Sequence, residues 1–179
     1  AVCAREGLWL HVDAAYAGSA AVAPELRWVL AGCERADSLV TNPHKWLFTP
    51  IDCSVLYTAR PEVFRAALSL VPEYLRTDAA GVTDLMDYSF QLGRRFRAIK
   101  LWFVFRHFGT HGLAAAIREH VRLAASFARR VDAHPHLDRM APAPLSVVCF
   151  RAVPPGLRGE GEIERFNAAV LERVNASGQ

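Results

Sequence analysis

Trp9-Leu10-His11-Val12-Asp13-Ala14-Ala15-Tyr16-Ala17-Gly18 decides the architecture of this chain. Trp-Leu-His-Val has the character of a short strand, and the small residues after Asp13 form a turn at its C-terminal end. A second strand is expected over Ala36-Asp37-Ser38-Leu39-Val40, ending just before Asn42-Pro43-His44-Lys45-Trp46. Pro24 to Cys33, between them, has helical character, so the segment reads as a β-α-β unit. Asp13 and Lys45 then both leave the sheet at strand C-termini, where open α/β sheets bind their ligands.

Composition sharpens the interest in Lys45. Of 21 basic residues, 19 are Arg and only Lys45 and Lys100 are Lys. Arg keeps its charge under all ordinary conditions, whereas a desolvated Lys amine loses its proton and attacks carbonyls. In a chain that otherwise uses Arg for positive charge, a Lys between His and Trp points to a need for an amine. On composition alone, a solvated surface Lys is the plainer reading. A carboxylate and an amine converging on one crevice make either an ion pair or two grips on pyridoxal phosphate. In the second case Lys45 takes the aldehyde and Asp13 the pyridinium nitrogen.

Further along, Asp52 to Thr58 is expected to be a strand, and Pro61 to Leu68 a helix with Pro in its first turn. Val71 to Asp84 mixes Pro, Asp, Thr and Gly and reads as a long mobile loop. From Gly93 to Phe108, Phe96, Ile99, the Lys100 stem, Phe103 and Val104 recur at helical spacing. A second helix, Gly112 to about Ala133, carries Leu113, Ile117, Val121, Ala124 and Ala128 on one face. Leu145 to Arg151 is an expected strand. Glu160 to about Val174 is an expected amphipathic helix with Ile163, Phe166, Val170 and Val174 inward.

Several function classes are disfavoured. A net charge of +3 is too small to imply nucleic acid. The cluster Arg94-Arg95-Phe96-Arg97 has no stacking platform and reads as internal ion pairs with Asp84 and Asp87. No apolar run reaches the roughly 18 residues of a membrane span. Cys3, Cys33, Cys53 and Cys149 are scattered without a C-x-x-C pair, as thiols in a reducing cytosol would be, so a cytoplasmic location is expected. His107 with His111, and His134 with His136, lack a third metal ligand at usual spacing.

Four blocks in this order, HVDAAYAG, NPHKW, DCSVLYT and LGRRFRAIKLWFVFR, resemble the group II pyridoxal-phosphate decarboxylases, and most of all the aromatic-L-amino-acid decarboxylases. The resemblance runs from about Leu8 to about Arg151. It implies an α/β fold of the fold-type I pyridoxal-phosphate transferase kind. The chain would carry the C-terminal half of the large-domain sheet (residues 1–99) and part of the small C-terminal α+β domain (residues 100–179). Against the family the N-terminal portion and the C-terminal end are missing, and the first residue is Ala1. An internal fragment of a longer polypeptide, inactive alone, is therefore expected.

The resemblance also implies roles. Lys45 would bind the cofactor aldehyde and pass it to the substrate amine. Asp13 would keep the ring nitrogen protonated, since an opposite charge within a few Å favours the cation by about one to three pKa units. Ala15 matches a small residue against one ring face, although close packing at a strand end would look the same. Asn42 matches a residue near the cofactor phosphate, and is equally a turn former before Pro43. His44 would orient Lys45 or a substrate carboxylate, or be structural. Tyr74 matches the tyrosine of a mobile catalytic loop, a general acid that returns a proton to carbon after carbon dioxide leaves. Gly93 matches a pocket position where a missing side chain leaves room for a phenol, catechol or indole ring. The loop of one subunit would close over its neighbour's site, so a homodimer is implied. Phe in place of Tyr74 would mark an aldehyde synthase. Also open at the level of sequence are a different group II amino acid decarboxylase, and a catalytically incomplete fragment that serves only dimerisation.

Overall fold

The computed structural model describes residues 2–69 and 83–178. Its contacts divide the chain into two compact units, residues 1–114 and 115–179. That division falls within a helix, later than the domain boundary expected near residue 99.

In the first unit, α1 (Val2–Glu6) precedes a sheet built from β1 (His11–Asp13), β2 (Ser38–Thr41) and β3 (Val55–Thr58), in the order β1-β2-β3. β1 and β2 are parallel, with His11 opposite Ser38 and Asp13 opposite Val40, as a β-α-β unit requires. β3 returns antiparallel, Ser38 facing Thr58 and Thr41 facing Val55. The crossover is helical but not α. It runs through three 3-10 segments, Ala17–Val22, Pro24–Leu30 and Cys33–Arg35. Pro24, which lacks an N–H, and Gly32, held at φ 90°, punctuate the chain so that no α-helix propagates across them. Gly18 permits a close approach of backbone to β2. A Cβ there would lie 2.9 Å from Thr41 Oγ1, so the first 3-10 turn sits directly against the end of β2. Ala14, Ala15, Ala20 and Ala23 are buried with Trp46, Leu47 and Cys53, a core of small residues around one large ring.

α2 (Pro43–Trp46) follows β2, and α3 (Pro61–Leu68) follows β3 with Pro at its first position, where the missing N–H has no intrahelical partner to lose. The strand expected from Asp52 begins only at Val55, because Asp52 and Cys53 are engaged by side chains outside the sheet. α4 (Ala98–Ala133) is broken at Gly109, whose φ of 63° and ψ of 172° are not helical. Two helices thus occupy residues 98–108 and 110–133, and the first starts later than Gly93. Phe96 and Phe103, expected on a buried face, are exposed, whereas Val104 is buried. In the second, Leu113, Ile117, Ala124 and Ala128 are buried along the expected stripe.

The second unit pairs β4 (Leu137–Arg139) antiparallel with β5 (Phe150–Ala152) and adds α5 (Glu160–Ser177). The strand expected over Leu145 to Arg151 is displaced to Phe150–Ala152. Pro142 and Pro144 offer no N–H to a ladder, and the chain regains pairing only near Cys149, whose carbonyl accepts from the Met140 N–H at 2.9 Å. Of the four residues expected inward on α5, only Ile163 is buried. The helix is fastened instead by Asn167, which donates to the Ala152 carbonyl and accepts from the Ala152 N–H, both at 2.8 Å. Among the described residues no helix is long and apolar enough to cross a membrane.

Candidate active site

The parallel pairing of β1 and β2 continues past both strands. Ala14 N–H donates to the Val40 carbonyl at 3.0 Å, and Asn42 N–H to the Ala15 carbonyl at 2.9 Å. The two segments that follow therefore leave the sheet side by side at its C-terminal edge. One carries Asp13 and the other Lys45.

Asp13 is exposed, and its Oδ1 accepts the Ala15 N–H at 2.9 Å, closing a local turn that fixes the carboxylate at the strand end. Ala15 is buried, with both backbone polar groups used, one by Asp13 and one by Asn42. Tyr16 and Trp46, which sequence reasoning passed over, stack at 4.6 Å with their planes 9° apart. This stack pins α2 onto the turn after β1, and so ties Lys45 to Asp13 mechanically. The available sign was an aromatic three residues after Asp13 and another one residue after Lys45.

On α2, Pro43 and Trp46 are buried and Lys45 points outward. Among the described residues the Lys45 side-chain amine has no hydrogen-bond or ion-pair partner, Asp13 included, which removes the plain ion-pair reading. Lys100 is the opposite case. Its ammonium donates to the Pro50 carbonyl at 3.0 Å and the Asp52 carbonyl at 2.6 Å, and lies 3.8 Å from the Asp52 carboxylate. One lysine is tethered and the other is presented.

His44 is held at both ends by Cys53. Its Nδ1 accepts the Cys53 N–H at 3.0 Å, and its own N–H donates to the Cys53 carbonyl at 3.4 Å. With Nδ1 an acceptor, the proton of the neutral ring resides on Nε2. Asn42 does two things at once. Its carbonyl accepts the Lys45 N–H at 2.9 Å, as a turn former's would, and its Oδ1 accepts the Ser54 hydroxyl at 2.6 Å. That leaves its side-chain N–H groups directed elsewhere.

The arginine cluster forms internal ion pairs, but with a different carboxylate from those expected. Arg97 Nε donates to Asp52 at 2.7 Å, and Arg95 approaches the same group at 3.6 Å. Asp87, buried on the 3-10 turn Leu85–Tyr88, is paired with Arg65 of α3 at 2.8 Å. The hydrogen bond from Arg97, foremost, holds the Asp52 carboxyl below the ordinary range for Asp. Gly93 is exposed, and a Cβ there would meet no atom within 4 Å. Tyr74 lies outside the described residues, as does nearly all of the loop expected over Val71 to Asp84. Among the described residues no three His, Cys, Asp or Glu side chains group as metal ligands.

The donor set fits pyridoxal phosphate. An amine without a partner among the described residues suits its aldehyde, and a carboxylate with one oxygen uncommitted among them suits its ring nitrogen. Both stand where adjacent parallel strands end.

Comparison with known proteins agrees. The family model for the pyridoxal-dependent decarboxylase conserved domain matches residues 1–153. The chain is 42% identical to the aromatic-L-amino-acid decarboxylase of Mus musculus over 179 residues, covering 98% of this chain and 36% of that protein. It is also 42% identical to a phenylacetaldehyde synthase of a Rosa hybrid cultivar, covering 99% of this chain and 37% of that one. The crystal structure of Oryza sativa TDC with PLP and tryptamine superposes with a TM-score of 0.92 at 40% identity, over 99% of this chain and 37% of that one. The chain thus spans little more than a third of the length of these relatives.

Proposed function

The chain belongs to the pyridoxal-dependent decarboxylase family, and from that premise we propose that it is part of a carboxy-lyase that converts an aromatic L-amino acid to its amine and carbon dioxide. The observation that carries the proposal is that Lys45, whose amine has no partner among the described residues, and an exposed Asp13 stand at neighbouring strand ends. When bound, pyridoxal phosphate supplies a conjugated cationic ring that accepts the electron pair released as carbon dioxide departs.

The residues divide the remaining work. Lys45 Nζ would hold the cofactor through its aldehyde, as the chain's nucleophilic amine at this edge of the sheet. Asp13 holds a proton on the ring nitrogen through its uncommitted oxygen. Asn42 would offer its side-chain N–H groups to the phosphate, and His44, adjacent to Lys45 in the chain, would offer its Nε2–H. Ala15 would lie against one ring face, and Gly93 would leave space for a large aromatic substituent. The full-length protein acts as a homodimer in this reading, with the loop of one subunit closing over the other's site. Residues 1–99 belong to its large domain and residues 100–179 to its small one. Borohydride reduction of the full-length protein with its cofactor is expected to fix a pyridoxyl group on Lys45. Label on Lys100 instead, or no label, would end this assignment.

A second reading has specific support, since the rose aldehyde synthase matches as closely as the decarboxylase. Tyr74 favours the decarboxylase, because a phenol at this position would return a proton to the substrate carbon before oxygen reaches it. Tyr74→Phe in the full-length protein is expected to shift product from amine toward aldehyde, with oxygen consumed and ammonia released. A product ratio run beside an oxygen electrode checks this. A variant that still made only amine at the parental rate would make Tyr74 a bystander.

A further inference from the structure

We infer that Lys100, acting with Asp52 and Arg97, is the positioning device that fixes the Lys45 turn. The inference rests on the role proposed above for Lys45.

α2 is a single turn of four residues with no side-chain cap. Helical turns this short do not sustain themselves, so something outside must hold it. On one side the Tyr16–Trp46 stack does so. On the other the chain departs through Phe48, at φ 55°, a left-handed conformation that a bulky side chain resists unless its surroundings impose it. The restraint is visible just downstream. Lys100 gathers the carbonyls of Pro50 and Asp52 onto one ammonium, and Arg97 takes the Asp52 carboxylate. The next residue, Cys53, returns two hydrogen bonds to His44, the neighbour of Lys45. From Lys100 to His44, every link in this path is a covalent or hydrogen bond.

The chemistry also accounts for the choice of residue. With 19 arginines against two lysines, this chain uses Lys sparingly. A compact ammonium with three rotatable donors can serve two converging carbonyls and face a carboxylate, whereas a planar guanidinium presents a rigid fork. Lys45 is kept for an amine's reactivity, and Lys100 for an ammonium's shape.

The test uses the full-length protein with pyridoxal phosphate, carrying Lys100→Met, Lys100→Arg, or Arg122→Met as a control at an exposed pair with Glu119. Amide hydrogen exchange over residues 42–53 is expected to quicken at least about fivefold in both Lys100 variants and not in the control. Turnover is expected to fall about tenfold with KM within about twofold, because positioning affects kcat rather than substrate affinity. Arg at 100 keeps the charge and is expected not to rescue. Parental exchange and turnover in a folded Lys100→Met protein would overturn the inference. Should Lys100→Met fail to fold, Asp52→Asn carries the same test. It keeps both carbonyl acceptors and removes the carboxylate charge that faces Arg97, Arg95 and the Lys100 ammonium. Borohydride label on Lys45 of the parent is read separately, so a failure of the underlying assignment is not mistaken for a failure of the clamp.

Discussion

Asparagine in place of Asp13 is expected to lower decarboxylation by the full-length protein about 10- to 1000-fold while cofactor attachment at Lys45 persists. That range corresponds to about 1.4–4 kcal/mol, the interaction of one carboxylate with a cationic ring nitrogen. The structure makes the substitution a clean one. Asp13 Oδ1 accepts the Ala15 N–H at 2.9 Å, and the carboxamide oxygen of Asn can accept the same bond, so the strand-end turn survives. Only the charge is removed, and a neutral amide does not hold a pyridinium proton. Turnover and borohydride labelling, measured on one preparation, separate the two functions. Unchanged turnover would rule out the electrostatic role. Lost labelling together with lost turnover would show that Asp13 shapes the site rather than tuning it.

The parts of the fold that were legible in sequence are those written in local pattern. Strand, turn and Pro-led helix signals lie within a few residues of one another, so β1, β2 and α3 were predictable, as was the break near Gly109. Asp13 and Lys45 were legible as a pair because a parallel β-α-β unit brings successive strand ends to the same edge. The chain's similarity to solved decarboxylases then places these strands in the fold-type I architecture.

What escaped was non-local or unpatterned. Asp52 meets Arg97 across 45 residues, and nothing in either neighbourhood names the other, whereas Asp84 and Asp87 lay nearby in sequence and drew the assignment. β4 contains only Leu137, Asp138 and Arg139, too short and too charged for an alternation signal. Helical periodicity identified the apolar side of α5 and of residues 98–108. It could not say whether anything in this chain covers those sides, and Phe103 and Val174 remain exposed. The Tyr16–Trp46 stack was hidden for a related reason, since each ring alone reads as ordinary core.

Removal of the Lys45 amine is expected to have the largest effect of any single change. Lys45→Ala in the full-length protein should lower turnover at least about 1000-fold, or about 4 kcal/mol, because the nucleophile for the cofactor aldehyde is gone. Lys45→Arg is the more informative partner. It keeps a positive charge at the same place on α2, but a guanidinium does not give up its proton and so supplies no nucleophile. If Lys45 acted only as a cation, Arg would restore most of the activity. As an amine it should leave the protein as impaired as Ala does. Folding is not at stake in either variant, because the Lys45 side chain is exposed and has no partner among the described residues. A small primary amine added to Lys45→Ala should recover part of the rate, in proportion to its concentration and its unprotonated fraction. No such recovery is expected for Lys100→Met, whose lysine serves by shape and position. Parental turnover in Lys45→Arg would show that the chemistry resides elsewhere in the protein.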